Sequence, residues 1–151
     1  MAIGDLDNDG DNDVAVTAND TDQYHIYFND GTGSLAGPIS YPTNGSDGMT
    51  ADIPMDIKIA DFDKDGDRDV IYSNSGEDTV SIDLNDGSGI FSPGVNLPAG
   101  DGPLDITVGD YDINGRIDFL VSNHTDGSVS YYQSLDPSSL TFTPEVTFAI
   151  P

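Results

Sequence analysis

One nine-residue pattern recurs through this chain: Asp5-Leu-Asp-Asn-Asp-Gly-Asp-Asn-Asp13, Asp61-Phe-Asp-Lys-Asp-Gly-Asp-Arg-Asp69 and Asp110-Tyr-Asp-Ile-Asn-Gly-Arg-Ile-Asp118. Carboxylates at alternate places of a short turn repel one another, yet the same turn lets them all face one hard cation with oxygen ligands. A glycine at the sixth place supplies the sharp bend. Each copy therefore reads as a Ca²⁺ loop, giving three sites. In the first, Asp5, Asp7, Asp9 and Asp13 are the expected side-chain ligands and Asp11 offers its backbone carbonyl. In the second these roles fall to Asp61, Asp63, Asp65 and Asp69, with Asp67 by backbone. In the third they fall to Asp110, Asp112, Asn114 and Asp118, with Arg116 by backbone, so that loop carries less charge.

An EF-hand needs an acidic residue at the twelfth place and helices on both sides. Here the twelfth places are Val16, Tyr72 and Val121, inside strand-like runs. The site closes within the turn itself, which excludes calmodulin-like switching. Magnesium fits less well, because it keeps a tight octahedral shell with several waters. The expected role of the ion is structural: it ties the strand before the loop to the strand after it, so binding energy becomes folding energy.

The loops start about fifty residues apart, and the similarity continues beyond them. After each comes an apolar run, Val14-Ala-Val16, Val70-Ile-Tyr72 and Phe119-Leu-Val121, bounded downstream by Asn19, Asn74 and Asn123. A second, alternating strand follows: Tyr24, Ile26 and Phe28; then Val80, Ile82 and Leu84; then Val129 and Tyr131. Asn29-Asp-Gly-Thr-Gly33 and Asn85-Asp-Gly-Ser-Gly89 read as tight hairpins, whereas the third unit has Gln133 to Ser139 at this place. A more exposed fourth strand leads to Pro42, to Pro98 and, in the last unit, to the chain end. Ahead of the loops stand Met1 to Gly4, Ile57 to Ala60 and Leu104 to Gly109. The fold class is thus all-β: three four-stranded antiparallel blades of a β-propeller, each with a Ca²⁺ loop between its first two strands. The blades run about 1–53, 54–102 and 103–151, one repeat domain in all.

At this level of detail the chain resembles the FG-GAP or VCBS repeats of integrin-type β-propellers. Thr79 to Phe91 followed by Pro103 to Asp112 is close to that family's pattern over a full blade. The first unit departs by extra residues between Pro42 and Pro54, the third by its lost Asn-Asp-Gly turn and by Asn114 and Arg116. The resemblance implies an extracellular or cell-surface module for adhesion or recognition, with protein or carbohydrate partners at one end of the blades. Because strands alternate in direction, the metal loops share an end with the third-to-fourth-strand turns. The opposite end collects Asn19 to Asp22, Asn74 to Asp78, Asn123 to Gly127, Ala99 to Gly102 and the Thr43 to Ile53 insertion. Loops on a rigid scaffold carry recognition, so a ligand is expected there.

Propellers have four to eight blades, and three do not close a ring. Further blades in the same chain, or a homo-oligomer, are therefore expected. With 4 Lys plus Arg against 28 Asp plus Glu, the formal charge of −24 repels nucleic acid and anionic lipid alike. No apolar run is long enough to insert in a membrane, and Met1 is not followed by a signal peptide. Weak loops of this kind fill where calcium is plentiful, outside the cell.

Enzymatic turnover is not expected. There is no cysteine, no Ser-His-Asp arrangement, and only Glu77 and Glu145 represent the longer acid. The alternatives are an accessory or scaffold segment of a secreted polysaccharide-active enzyme and a self-assembling structural subunit. His25 and His124 lack a third ligand for zinc. Asn19-Asp-Thr21, Asn44-Gly-Ser46 and Asn123-His-Thr125 match the glycosylation pattern in a chain rich in these residues, and the Tyr131-Tyr132 pair is expected to pack rather than stack on sugar.

Overall fold

The computed structural model describes residues 1–43, 51–143 and 146–149. Three four-stranded antiparallel sheets follow one another along the chain. Sheet 1 is β1 (Ala2–Gly4), β2 (Asp13–Ala18), β3 (Gln23–Tyr27) and β4 (Ile39–Pro42) in simple order. Sheet 2 repeats this with β5 (Pro54–Ala60), β6 (Asp69–Asn74), β7 (Thr79–Asn85) and β8 (Phe91–Pro98). Sheet 3 has β9 (Pro103–Gly109), β10 (Asp118–Asn123) and β11 (Ser128–Tyr132). Its next strands, β12 (Ser134–Asp136) and β13 (Thr141–Phe142), form a separate short hairpin around a 3-10 turn at Pro137–Ser139, and β14 (Val146–Ala149) then completes the sheet beside β11. The sequence suggested only a turn at this point. Asp136 makes the difference: it caps the 3-10 turn by accepting the Ser138 N–H, Pro137 starts it, and Leu140 ends it in the left-handed region.

The alternation of each strand decides how the sheets stack. Between sheets 1 and 2 lie Ala15, Tyr24 and Ile26 from one side and Ile57, Val70 and Tyr72 from the other. Between sheets 2 and 3 lie Ile71, Val80 and Ile82 against Ile106, Phe119 and Val121. Each such side chain contributes about 1.5–3 kcal/mol of transfer free energy when fully buried. Sheet 2 is thus covered on both faces, and every residue of β6 is buried.

Polar contacts repeat from one sheet to the next in the same way. The Thr17 hydroxyl donates to the Met55 carbonyl (3.2 Å), and the Ser73 hydroxyl donates to the equivalent Leu104 carbonyl (3.0 Å). Asp56 accepts the Ile106 N–H at 3.0 Å while paired with Lys58. Tyr24 crosses from sheet 1 to donate to the buried carboxylate of Asp83 at 2.9 Å. Among the described residues no helix is long and apolar enough to cross a membrane.

Candidate metal centres

Each Asp-rich turn connects the first two strands of a sheet, β1 to β2, β5 to β6 and β9 to β10. The ninth-position carboxylate anchors it. Asp13, Asp69 and Asp118 are fully buried at the start of the second strand. One oxygen of each accepts the N–H just after the loop's first aspartate: Leu6 at 2.8 Å, Phe62 at 2.8 Å and Tyr111 at 3.1 Å. The other accepts an N–H from the residue beginning the next hairpin: Asn29 at 2.9 Å, Asn85 at 3.0 Å and Ser134 at 2.9 Å. That double role was invisible in the sequence, which marked these residues only as ligands. Asn29 and Asn85 then fold their own turns, their side-chain oxygens accepting the N–H groups of Gly31 and Gly33, and of Gly87 and Gly89.

The turn itself needs two left-handed residues. One is the expected glycine, Gly10, Gly66 or Gly115. The other is the fourth residue of each loop, with φ of 61° at Asn8, 65° at Lys64 and 60° at Ile113. Asparagine tolerates this region, but a β-branched isoleucine is strained there.

The backbone so bent gathers the carboxylates at positions one, three and nine. Candidate ligand atoms of Asp5, Asp7 and Asp13 lie within 4.8 Å of one another, as do those of Asp61, Asp63 and Asp69, and those of Asp110, Asp112 and Asp118. The fifth-position side chains also brace the turn: Asp9 accepts the Asp11 N–H (2.8 Å), Asp65 that of Asp67 (2.9 Å) and Asn114 that of Arg116 (2.8 Å). The Asp67 carboxylate accepts the Asn8 side-chain amide at 2.7 Å, linking the second loop to the first. With its side chain so engaged, Asp67 would offer an ion its carbonyl.

The first two triads fit a cation on independent grounds. Asp5 Oδ1 and Asp61 Oδ1 are buried and have no hydrogen-bond partner. An ionised oxygen in that state is costly unless a positive charge completes it. Protonation equilibria point the same way. Burial, followed by the nearby charges of Asp13 and Asp9, raises the carboxyl of Asp7 above its usual range. Asp63 is raised by burial, and the charges of Asp65 and Asp61 add to that. Asp69 is pushed up to about 7, chiefly by burial and in spite of the two backbone N–H groups it accepts.

The third triad is differently satisfied. Asp110 accepts the Asn114 N–H at 2.9 Å with one oxygen and the Gly115 N–H at 2.7 Å with the other. Asp112 accepts the Asn114 amide at 2.7 Å and the Gln133 amide. Some desolvation raises Asp112, but hydrogen bonds from Gln133 and Asn114, together with the Arg116 charge, outweigh it and hold the carboxyl below its usual range. Asn114, Arg116 and Gln133, the residues by which this unit departs from the others, thus supply internally much of what a cation would supply.

The two histidines lie on different sheets: His25 is on β3, where its Nδ1 meets the Ser40 hydroxyl at 2.9 Å, while His124 follows β10 in sheet 3. Tyr132 is buried and stacked on Phe119, whereas Tyr131 faces outward beside Tyr111. At the end opposite the metal loops, the turns zip to the connections between sheets: Thr43 N–H to Asp22 O (3.0 Å), Ser75 N–H to Ile53 O (3.1 Å), Ala99 N–H to Asp78 O (2.7 Å) and His124 N–H to Gly102 O (2.8 Å). Asn44-Gly-Ser46, most of the Thr43 to Ile53 insertion and Glu145 lie outside the described residues.

Successive four-stranded antiparallel sheets, each opening on an acidic turn able to hold a metal ion, define a class of β-repeat protein. The FG-GAP-like repeat profile matches residues 5–71 and again 61–121, and the chain belongs to that family. In fold it is similar to a chain of the Photorhabdus luminescens Tc holotoxin pore, with 18% identity and a TM-score of 0.51. The match takes in 99% of this chain but 7% of that one, so the described fold spans a small part of the larger protein. No curated protein matches the chain.

Proposed function

We propose that the chain is a Ca²⁺-loaded β-propeller module acting outside the cell or at its surface, each four-stranded sheet being a blade, and that it recognises a protein or carbohydrate without turning it over. The observation that carries the metal reading is the pair of orphaned, buried oxygens on Asp5 and Asp61, each within a triad of carboxylates. Ca²⁺ neutralises the mutual repulsion in each triad and closes the corner between the first two strands of the blade. Its role is structural, and the third loop binds most weakly because its ligands already have partners.

Likeness to part of a holotoxin pore chain supports a module that works within a larger assembly. The recognition surface lies opposite the metal loops, on the turns at Asn19 to Asp22, Asn74 to Asp78 and Asn123 to Gly127. Isothermal titration with Ca²⁺ tests the first half: two stronger sites and one weaker are expected, and no binding refutes it. Capture on arrays of cell-surface glycans and proteins tests the second. Substitutions in the three turns should abolish capture while leaving the Ca²⁺ titration intact; unaltered capture would remove the surface from consideration.

A further inference from the structure

We infer that Asn85, helped by Asn8, couples the first two metal sites, so that Ca²⁺ in either loop strengthens binding in the other; this rests on reading the acidic loops as Ca²⁺ sites. The inference comes from one unbroken line of hydrogen bonds. Asp13 of the first triad accepts the Leu6 N–H at 2.8 Å, the Leu6 carbonyl accepts the Asn85 side-chain amide at 2.8 Å, and the Asn85 N–H donates to Asp69 of the second triad at 3.0 Å. All four residues are buried, in a low-dielectric setting that strengthens each bond. Only Leu6 and Asn85 therefore separate a carboxylate of one site from a carboxylate of the next.

A second link lies at the surface. The Asn8 side-chain amide donates to the Asp67 carboxylate at 2.7 Å and to the Gly87 carbonyl at 3.1 Å. Asn8 stands between Asp7 and Asp9 in the first loop, and Asp67 is the residue whose carbonyl is expected at the second ion. Asn85 also donates to the Arg68 carbonyl at 3.0 Å, and its side-chain oxygen accepts the Gly87 and Gly89 N–H groups. The first loop thus bonds both to the second loop and to the hairpin beside it, and Asn85 is where the three meet.

An ion in the first triad fixes Asp13, and with it the Leu6 peptide and the Asn85 amide bonded to that peptide. Asp69 of the second loop then meets an Asn85 already held in place. Each ion orders part of the frame that the other must order, so the second to arrive forfeits less conformational entropy. Linkage makes the effect mutual: the factor by which the first site helps the second equals the factor in reverse.

The third loop stands outside this line. Ser134 donates its N–H to Asp118 at 2.9 Å, as Asn85 does to Asp69, but serine has no amide to extend toward Phe62, the counterpart of Leu6. Asn8 is matched in the second loop by Lys64, whose Nζ lies near Gly115, and Asp67 is matched in the third by Arg116, which offers no carboxylate. Coupling is therefore confined to the first two sites.

Nuclear magnetic resonance titration of the 151-residue chain with Ca²⁺ tests this, since the Gly10 and Gly66 amides report the two loops separately. In the wild type both curves should be steeper than single-site binding. Asp7→Ala and Asp63→Ala each disable one site without touching the bonded line. A coupling factor on the order of tenfold should then move half-filling of the untouched site to roughly threefold higher Ca²⁺, because the wild-type sites share the gain. In an Asn85→Ser background, which places serine here as in the third unit, Asp7→Ala should no longer shift the second site; an asparagine that only supports the fold would leave that dependence in place, and such a result overturns the proposal. If Asn85→Ser does not fold, as judged by near-ultraviolet circular dichroism, Asn8→Gly carries the test, because glycine keeps the positive φ of that position. It should reduce the shift, and an undiminished shift overturns the proposal. Sites that fill normally but independently refute only the coupling, whereas amides unmoved at millimolar Ca²⁺ refute the calcium reading and the coupling with it.

Discussion

Replacing Asp61 by asparagine should change stability with opposite sign in the presence and absence of Ca²⁺. Asp61 Oδ1 is buried without a partner and its charge adds to the repulsion on Asp63. In excess chelator the substitution removes that charge at nearly constant shape, so stability should be unchanged or rise by about 0.5–1 kcal/mol, the scale of an unfavourable charge pair in a partly exposed site. In Ca²⁺ at about a hundred times the dissociation constant, a filled site contributes about 2.7 kcal/mol, and losing one carboxylate ligand forfeits most of it. For a chain of this size each kcal/mol is about 2–4 °C in melting temperature, so the variant should melt about 5–10 °C below wild type in Ca²⁺. Differential scanning calorimetry of both proteins, with and without chelator, gives all four values. Equal losses in both conditions would refute the argument, because the carboxylate would then be supporting the fold through something other than a cation.

Other expectations concern the frame around the sites. Ile113→Asn should raise the urea midpoint by the equivalent of about 1 kcal/mol, since asparagine accepts the φ of 60° that strains isoleucine. Tyr24→Phe should lower stability by about 1.5–3 kcal/mol by removing the hydroxyl that donates to the buried Asp83 carboxylate; a neutral result in chemical denaturation would show that this bond does not hold sheets 1 and 2 together. Asp56 feels a desolvation that raises its carboxyl, but hydrogen bonds from Lys58 and the Ile106 N–H outweigh it and leave the group lowered. Its contribution is therefore present above the ordinary value of 3.8 and is lost as the pH falls through the lower folded value. Asp56→Asn should accordingly flatten the acid limb of the stability profile measured below about pH 4.

The loops and most strands were legible because both rest on local rules: alternate carboxylates with a bend-permitting glycine, and apolar runs between turn formers. What sequence concealed came from packing on both sides of a strand. In β7, Val80, Ile82 and Leu84 read as the inner face and Ser81, Asp83 and Asn85 as the outer. The sheets on either side bury Ser81, Asp83 and Asn85 nonetheless. Asp83 accepts from Tyr72 of its own sheet and, more closely, from Tyr24 of another repeat, which no local pattern names. Likewise the alternation rule named the carboxylates of each loop, but not which of them lie together: the structure gathers the first, third and ninth and shows the fifth also bonded to the turn's own backbone. The hairpin of β12 and β13 was hidden for a plainer reason, that it interrupts the register by which the other two units were read.

Burial of the middle sheet on both faces also dictates the order in which the molecule comes apart. In arrays where each unit touches only its neighbours, the outer units lose one contact surface and the inner ones none. Backbone amides of β6 and β7 should thus exchange with solvent only through the largest openings, and those of β4 and β14, the exposed outer strands, through small local ones. The second loop closes onto β6, so an ion held there should be the last to leave.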